Sequence, residues 1–363
     1  MKRLKIAFLL ISEGWAGAEN SVFNTVKSLG NLVEVSLLIN KEIMRYYRKL
    51  SNIKIYDFGP LFKGGRITRF LLSYRARKKL FRILKRSNFD LISLYLGGSQ
   101  IMYYNMYNKI NTFAITSLRG GEIKNFFRRG GTIQEVIDRL CLKKALEKSS
   151  AITSLSSWQI QNLPEKYKKK TVVIPNGVDS KVFKPLKNIK QRKNIILFTG
   201  RFIDIKGIRE ILVVAKQLPQ YEFWFVGQGP LSDEIKGKNV KNLGFKSTEE
   251  LVKLYNQATI CILPSHREAF GNVGLEAMSC GKGVIVTPLG FSEYVENGKD
   301  GIIIPSKNEK ALKEAILKLM KNKKLRKKLG ENARKKALRY SWDKVAKKYL
   351  KVFKEVIKNA KKK

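Results

Sequence analysis

Two glutamates eight positions apart, Glu268 and Glu276, bracket a glycine-containing turn. The sequence predicts a buried strand that ends at Leu263 and a helix that begins near Asn272. Glu268 therefore precedes the helix, and Glu276 lies in its first turns. Carboxylates placed in this way accept hydrogen bonds from hydroxyl groups at either end of a ligand bound between them. A glutamate early in a helix is also stabilised by the helix dipole, so the pair alone does not establish a site.

The start of this predicted helix is suited to bind a phosphate group between the two carboxylates. The first N–H groups of a helix have no intrahelical partner, and the positive end of the dipole favours an anion. Gly271 and Gly274 have no side chain, so we expect a phosphate to approach the backbone closely. The ligand would be a nucleotide sugar, with its ribose hydroxyls at Glu276 and hydroxyls of its sugar at Glu268. The residues predicted to bind this ligand are Gly271, Asn272, Val273, Gly274, Leu275 and Glu276.

Two cations five residues apart, Arg201 and Lys206, follow the predicted strand Ile195 to Thr199. Because parallel strands end at the same edge of a sheet, both side chains are expected at the same crevice as Glu268. There they would neutralise the charge of a bound diphosphate, as a divalent metal can do. The sequence contains no Asp-x-Asp motif, so we expect neither a metal nor another cofactor. The alternative for the two cations is a solvated surface pair.

These motifs resemble those of the retaining family 4 glycosyltransferases, which have the GT-B fold. The family's signature is P-S-x-x-E-x-F-G followed by E-A-M-x-x-G, and the matching residues are Pro264, Ser265, Glu268, Phe270, Gly271, Glu276, Ala277, Met278 and Gly281. Further segments resemble the family in the same order: AGAEN at 16–20, VIPNGVDSKVFKP at 173–185, TGRFIDIKG at 199–207, FVGQGP at 225–230, NLGF at 242–245 and SWDKVAKKYL at 341–350. The resemblance covers nearly the whole chain.

The resemblance implies an α/β fold of two Rossmann-like domains whose parallel sheets face a cleft, with the C-terminal helix returning to the N-terminal domain. It implies a hexosyltransferase that moves a sugar from a nucleotide-diphosphate sugar to a glycan or lipid-linked acceptor in cell-surface polysaccharide, glycolipid or protein glycosylation. The departing phosphate oxygen is expected to take the acceptor's proton, with retention of anomeric configuration and no protein nucleophile. Glu268, Arg201 and Lys206 are the expected catalytic residues. The donor's base and sugar stay open between UDP, GDP and ADP sugars.

Three residues have roles that depend more strongly on the resemblance. Gly17 follows the first strand, and by resemblance it approaches the donor diphosphate from the first domain. Many relatives have a histidine that contacts the transferred sugar after the strand predicted at Thr112 to Thr116, but this chain has Arg119 there. Arg119 is therefore a candidate contact for the donor sugar or for an anionic acceptor. His266, the single histidine, is interpreted as a cleft-lining or structural residue.

Short apolar runs alternate with amphipathic stretches, which is the pattern of parallel sheets with crossover helices. Strands of the first half are predicted at Lys5 to Ile11, Val33 to Ile39, Ile53 to Phe58, Asp90 to Tyr95, Thr112 to Thr116, Ala151 to Ser154 and Thr171 to Ile174. Those of the second half are predicted at Ile195 to Thr199, Glu222 to Val226, Val240 to Leu243, Thr259 to Leu263, Gly283 to Val286 and Gly301 to Ile303. From Asn308 onward the pattern is helical.

The polar segment Ser180 to Lys193 interrupts this alternation and marks the domain junction. We therefore predict an acceptor-side domain at 1–180 and a nucleotide-sugar domain at 181–340, followed by a returning helix and basic tail at 341–363. No internal repeat is visible, which excludes a solenoid. No apolar run approaches the roughly 18 to 20 residues of a spanning helix, and Lys5 to Ile11 is too short for a signal peptide. A cytoplasmic chain, soluble or peripheral on the membrane, is expected.

Composition excludes several other kinds of site. Three widely spaced cysteines predict no disulfide framework, and one histidine leaves little basis for a zinc site or a histidine-based triad. The net charge of +44 is unevenly distributed: it is +26 for residues 1–200, zero for residues 201–300 and +18 for residues 301–363. One side is therefore expected to face an anionic partner, the alternative being a lysine-rich genome.

The segment Phe58 to Phe89 has ten Lys and Arg residues and no acid. Its apolar residues at roughly helical spacing fit either a helix on an anionic membrane, where a lipid-linked acceptor would be presented, or an ordinary core-facing helix. A nucleic-acid-binding protein is not favoured, because no base-stacking aromatics or known module accompany the charge. A catalytically silent module of the same fold is disfavoured by the intact charged motifs. A sugar-nucleotide epimerase of similar fold is the nearest enzymatic alternative.

Overall fold

A computed structural model of the protein describes residues 3–14, 17–96, 112–119, 133–161 and 163–360. The chain forms two compact units, one of Met1–Pro175 with Trp342–Lys363 and the other of Asn176–Ser341. The boundary lies about five residues before the junction predicted at 180/181, so the whole polar segment at 180–193 belongs to the second unit. The first-half motif at 16–20, the residues at 120–122 and the tail at 361–363 lie wholly or partly outside the described residues.

The first unit contains a parallel sheet of seven strands in the order β3-β2-β1-β4-β5-β6-β7. Its strands are β1 (Lys5–Leu10), β2 (Glu34–Ile39), β3 (Lys54–Asp57), β4 (Leu91–Leu96), β5 (Phe113–Leu118), β6 (Ala151–Ser154) and β7 (Thr171–Val173). The second unit contains a parallel sheet of six strands in the order β10-β9-β8-β11-β12-β13. Its strands are β8 (Ile195–Thr199), β9 (Glu222–Val226), β10 (Val240–Asn242), β11 (Ile260–Leu263), β12 (Val284–Val286) and β13 (Ile302–Ile303). Every predicted strand is confirmed, with ends that shift by one or two residues.

Nine longer helices connect and cover these strands in the described part of the chain. They are α1 (Gly17–Leu29), α2 (Arg66–Arg86), α3 (Ile133–Lys148), α4 (Ile208–Gln217), α5 (Thr248–Gln257), α6 (Asn272–Ser279), α7 (Glu309–Lys321), α8 (Lys323–Ala337) and α9 (Trp342–Ala360). Shorter helical turns include the 3₁₀ turn Asp204–Lys206. No helix among the described residues is long and apolar enough to cross a membrane.

Helix α9 returns to the first unit because its apolar stripe completes that unit's core. Tyr349, Val352 and Phe353 are buried there with Phe8 of β1 and Val26 of α1. The Phe8 and Phe353 rings meet edge to face, with centroids 6.1 Å apart. Burial of such aromatic side chains stabilises the unit, so its fold needs the C-terminal helix.

The segment predicted either to face the core or to lie on a membrane becomes helix α2, and its described side chains divide between the two alternatives. Ala76, Leu80 and Leu84 are buried in the core of the first unit. Leu71 and Tyr74 are instead 53% and 49% exposed. One face of α2 is therefore an ordinary core face, and a second face exposes apolar groups among its cations.

Candidate active site

The second sheet has its topological switch point between β8 and β11. The chain continues from β8 to β9 and β10 on one side, and from β11 to β12 and β13 on the other. In open parallel sheets, ligands bind outside the carboxyl ends of the strands at this point. The segment after β8 carries Arg201 and Lys206, and the segment after β11 carries Glu268 and α6. The fold therefore places the predicted cations and the predicted turn at neighbouring strand ends.

Lys206 and Glu268 form an ion pair between these two segments. Lys206 ends the 3₁₀ turn Asp204–Lys206, and its Nζ donates a hydrogen bond to Glu268 Oε1. Each side chain is only 14% exposed. Opposite charges removed from water in this way stabilise each other only while both are present, because either one alone would be a poorly solvated charge.

Close backbone contact fixes the two segments against each other. Gly207 has φ 72°, and a Cβ built there would lie 2.3 Å from the Pro264 carbonyl oxygen. The His266 N–H donates to the Ile205 carbonyl at 2.8 Å. Glycine at 207 therefore tolerates the left-handed backbone and leaves room for the signature turn, which is the segment after β11 that contains Pro264 and His266.

His266 also links the signature turn to α4 through its side chain. Its Nε2 lies 2.6 Å from Glu210 Oε1, and the two side chains are 21% and 16% exposed. Of the two roles predicted for His266, cleft-lining or structural, this contact is consistent with the structural one. No sequence pattern identifies its partner, since Glu210 lies in a helix 56 positions earlier.

Helix α6 begins at Asn272, as predicted, after Gly271 in the left-handed region at φ 77°. A Cβ at Gly271 would lie 2.3 Å from the Phe291 ring, and one at Gly274 would lie 2.3 Å from the Tyr294 hydroxyl. Packing against aromatic residues thus requires both glycines, and the close approach of a phosphate to this backbone stays a prediction.

Hydrogen bonds fix the backbone and side chains at this helix start. The Tyr294 hydroxyl donates to the Gly271 carbonyl at 2.5 Å, and Gly274 N–H donates to that carbonyl at 3.0 Å. Asn176 Nδ2 donates to Asn272 Oδ1 at 2.9 Å. The asparagine of the segment at 173–185 therefore helps to fix the predicted donor-binding turn.

Glu276 faces a tyrosine that the sequence analysis did not identify. The Tyr255 hydroxyl lies 3.3 Å from Glu276 Oε2 and 2.9 Å from Thr199 Oγ1 at the end of β8. Burial raises the pKa of Glu276 to about 7, although the hydrogen bond from Tyr255 acts in the opposite direction. Tyr255 lies on the apolar stripe of α5, so in sequence it looks like an ordinary core residue.

The structure brings the predicted residues together to different degrees. Lys206 and Glu268 are in direct contact, and Glu276 is connected to the end of β8 through Tyr255. Arg201 lies two residues beyond Thr199 and is exposed. Val273 and Leu275 lie in the first turns of α6 between the two glutamates, and the Val273 carbonyl is 3.3 Å from the Tyr255 hydroxyl.

The two residues predicted in the first unit have different surroundings. Gly17 is the exposed first residue of α1, and a Cβ there would meet nothing within 4 Å. Arg119 follows β5 and is only 9% exposed. Its guanidinium donates to Ser21 Oγ at 2.9 Å and to the Tyr349 hydroxyl at 2.5 Å. Arg119 thus joins β5 to α1 and α9, and its contact with a sugar or acceptor stays a prediction.

Two parallel-sheet units with charged loops at a switch point define an α/β protein of the GT-B class, and comparison with known proteins gives its family. The sequence model for glycosyltransferase family 4 matches residues 15–182, and that for glycosyl transferases group 1 matches residues 179–336. A Methanocaldococcus jannaschii protein described as an uncharacterized glycosyltransferase is 31% identical over 84% of this chain and 86% of its own length. The chain belongs to glycosyltransferase family 4, and it is a glycosyltransferase.

Other relatives agree with this assignment. The N,N'-diacetylbacillosaminyl-diphospho-undecaprenol alpha-1,3-N-acetylgalactosaminyltransferase of Campylobacter jejuni is 33% identical over 55% of this chain and 58% of its own length. Among solved structures, sucrose-phosphate synthase from Thermosynechococcus elongatus has a TM-score of 0.83 at 21% identity, covering 98% of this chain and 100% of that one. Anabaena HepE, solved with UDP and glucose, has a TM-score of 0.80 at 18% identity, covering 97% and 99%. The two structures share the GT-B fold with this chain.

Proposed function

We propose that this glycosyltransferase is retaining and metal-independent, and that it moves a hexose from a nucleotide-diphosphate sugar to a glycan or lipid-linked acceptor. The observation that carries the proposal is the Lys206–Glu268 ion pair beside the start of α6 at the switch point. A cation, a helix start and a carboxylate are the groups that a diphosphate joined to a sugar requires.

Lys206 and Glu268 have separate roles when the donor binds. Lys206 exchanges Glu268 for the diphosphate, and with Arg201 it neutralises the charge that develops on the leaving group. Glu268 then accepts hydrogen bonds from hydroxyls of the transferred sugar. The leaving phosphate oxygen takes the proton of the acceptor hydroxyl on the same face of the sugar, which retains the anomeric configuration.

At the other end of the donor, Glu276 accepts hydrogen bonds from the two ribose hydroxyls. A carboxylate accepts such bonds best when it is ionised. Because burial raises the pKa of Glu276 to about 7, donor binding is expected to release a proton at pH values below that pKa. Tyr255 orients the carboxylate through its hydroxyl.

Substrate classes are proposed from the relatives' names and from the charge of the chain. HepE is solved with UDP and glucose, and the Campylobacter jejuni relative is named for a lipid-diphosphate acceptor. A lipid-linked acceptor would be met at a membrane, and α2 presents Leu71 and Tyr74 among cations on the first unit. We place the protein in the cytoplasm, peripheral on the inner face of the cell membrane.

A thermal-shift panel of UDP, GDP and ADP sugars tests the donor assignment first. Sugar nucleotides with one of the three bases are expected to raise the melting temperature of the wild type, and Glu276→Ala is expected to abolish that shift. Full retention of the shift in Glu276→Ala would remove the ribose assignment. With the donor known, proton NMR of the product formed in EDTA should show the donor's anomeric configuration. An inverted product, or free sugar or epimer formed without an acceptor, would contradict the proposal.

A further inference from the structure

A cavity of about 580 Å³ lies in the second unit, and this size is typical of small-molecule sites. One wall is a single face of α8, where lining residues recur at intervals of three and four. The cations of this face are Lys323, Arg326, Lys327, Arg334 and Lys335. An apolar part of the lining is formed by Pro185, Leu186 and Ile189. The cavity therefore combines a basic wall with an apolar wall.

This cavity is separate from the candidate active site. Helix α6 begins with the donor-binding turn at Asn272, and Cys280, which follows its last residue, lines the cavity. An α-helix rises about 1.5 Å per residue, so the eight residues of α6 separate the two places by roughly 12 Å. None of Arg201, Lys206, Glu268 and Glu276 lines the cavity.

The inner cations of the cavity bind backbone carbonyls at the ends of three helices. Lys282 Nζ donates to two carbonyls at the end of α5, at 2.9 and 3.0 Å. Arg326 donates to two in the last turn of α7, at 2.5 and 2.7 Å. Arg334 donates to the Ser279 carbonyl ending α6 and to Ser279 Oγ, both at 2.7 Å, and to the Phe183 and Ser180 carbonyls at 2.9 and 3.1 Å, which are neutral groups. Burial lowers the pKa of Lys282, Arg326 and Arg334.

These helix ends compensate the inner cations only in part. The C-terminal end of a helix carries roughly half a negative charge, so three such ends do not balance three full positive charges. On the outer rim, Lys323 and Lys335 form no ion pair with any described residue. Lys327 lies 3.9 Å from Glu331, which is the only acid among the described residues lining the cavity. Six cations thus surround a cavity that contains one carboxylate.

We propose that this cavity binds an organic phosphate, with the phosphate group against the basic face of α8 and the apolar part against the wall at Pro185, Leu186 and Ile189. The positive potential supplies the affinity for the anion, and the apolar wall selects anions that carry an apolar group. A soluble phosphate ester and a phospholipid headgroup share this chemistry, and the experiment below distinguishes them. The proposal does not depend on the identity of the donor.

Two double variants on α8 distinguish anion binding at the cavity from anion binding that is due only to the net charge of the protein. Lys323→Gln with Lys327→Gln removes two cavity cations, whereas Lys324→Gln with Lys328→Gln removes two exposed cations of the same helix that do not line the cavity. Both change the net charge equally. Binding of phenyl phosphate is measured by calorimetry, and binding to phosphatidylglycerol and phosphatidylcholine vesicles is measured by sedimentation, at about 0.15 M salt to screen distant charges.

We expect the cavity variant to weaken binding at least about tenfold and the control variant to change it less than about twofold. If the cavity variant binds more weakly than the control variant only with phenyl phosphate, the ligand is a soluble phosphate ester. If it does so with phosphatidylglycerol vesicles, the ligand is a lipid headgroup. Equal weakening in both variants, or no saturable binding of either probe to the wild type, would overturn the proposal. Both variants should keep the thermal shift with the donor sugar nucleotide, so failure of the donor assignment and failure of this proposal are distinguishable.

Discussion

Lys206 and Glu268 lie 62 positions apart in the sequence and form an ion pair between the segments that follow β8 and β11. The pair joins the cation expected to stabilise the leaving diphosphate with the carboxylate expected to bind the transferred sugar. Each group therefore keeps the other stable in the absence of a donor, since either charge alone would be poorly solvated.

Removing the charge of Glu268 should separate sugar recognition from diphosphate binding. In Glu268→Gln we expect turnover to fall at least about 100-fold, because contacts to the reacting sugar strengthen in the transition state. Affinity for the nucleoside diphosphate alone should stay the same or rise, because Lys206 is released from its partner. Steady-state rates and calorimetric titrations test this. Equal losses of turnover and of diphosphate affinity would contradict the separate roles.

The raised pKa of Glu276 should make stability depend on pH. The folded-state pKa of about 7 lies above the ordinary value of 4.5, so protonation favours the folded state at low pH. That stability is lost as pH rises from about 4.5 through about 7. Glu276→Gln should therefore raise the melting temperature relative to wild type at pH 8 and change it little at pH 4.5. If the melting temperatures of the two proteins depended on pH in the same way, the raised pKa of Glu276 would be disproved.

The aromatic packing at the start of α6 predicts different costs for alanine substitutions at two glycines that have nearly the same positive φ. Gly271 and Gly298 have φ 77° and 76°, but only a Cβ at Gly271 would contact a ring, that of Phe291. Gly298→Ala should lower the free energy of unfolding by about 1 kcal/mol, and Gly271→Ala should lower it by about 1–3 kcal/mol more. Urea denaturation measures both, and equal costs would show that packing does not require Gly271.

The buried contact between Arg119 and Tyr349 should stabilise the first unit. Arg119→Met is expected to lower the free energy of unfolding by about 2–4 kcal/mol, and Tyr349→Phe, which removes only the hydroxyl, by about 1–2 kcal/mol. Lys351→Ala, at an exposed position of α9, should change it by less than about 0.5 kcal/mol. A stable Arg119→Met protein that loses activity would instead support the substrate contact that the sequence suggested.

The exposed apolar groups of α2 should contribute to membrane binding. Wild type is expected to sediment with phosphatidylglycerol vesicles in preference to phosphatidylcholine vesicles at low salt. Leu71→Ser with Tyr74→Ser should weaken this binding, whereas Val213→Ser, an exposed position on α4 of the second unit, should not. Equal binding of the wild type to neutral and anionic vesicles would rule out the proposed membrane surface.

Much of the fold could be predicted from the sequence because each strand is a short apolar run between amphipathic helices, and such runs are read locally. The start of α6 and the positions of Glu268 and Glu276 around it could also be predicted, because they depend on residues that are neighbours in the sequence. The contacts of Tyr255 with Glu276 and of Glu210 with His266 were not, because they join segments that only the packing of helices on the sheet brings together. Arg119 was a motif position in sequence, yet its guanidinium contacts a tyrosine 230 positions later.

Calorimetric titration with UDP, GDP and ADP measures whether Lys206 and the start of α6 hold the diphosphate of the donor. Lys206→Ala is compared with Arg209→Ala, a nearby cation that forms exposed ion pairs with Asp204 and Glu234. The wild type should bind at least one of the three nucleotides. Lys206→Ala should weaken that binding at least about tenfold, and Arg209→Ala should change it less than about twofold. Equal affinities in both variants, or no binding by the wild type, would show that these groups do not hold the diphosphate.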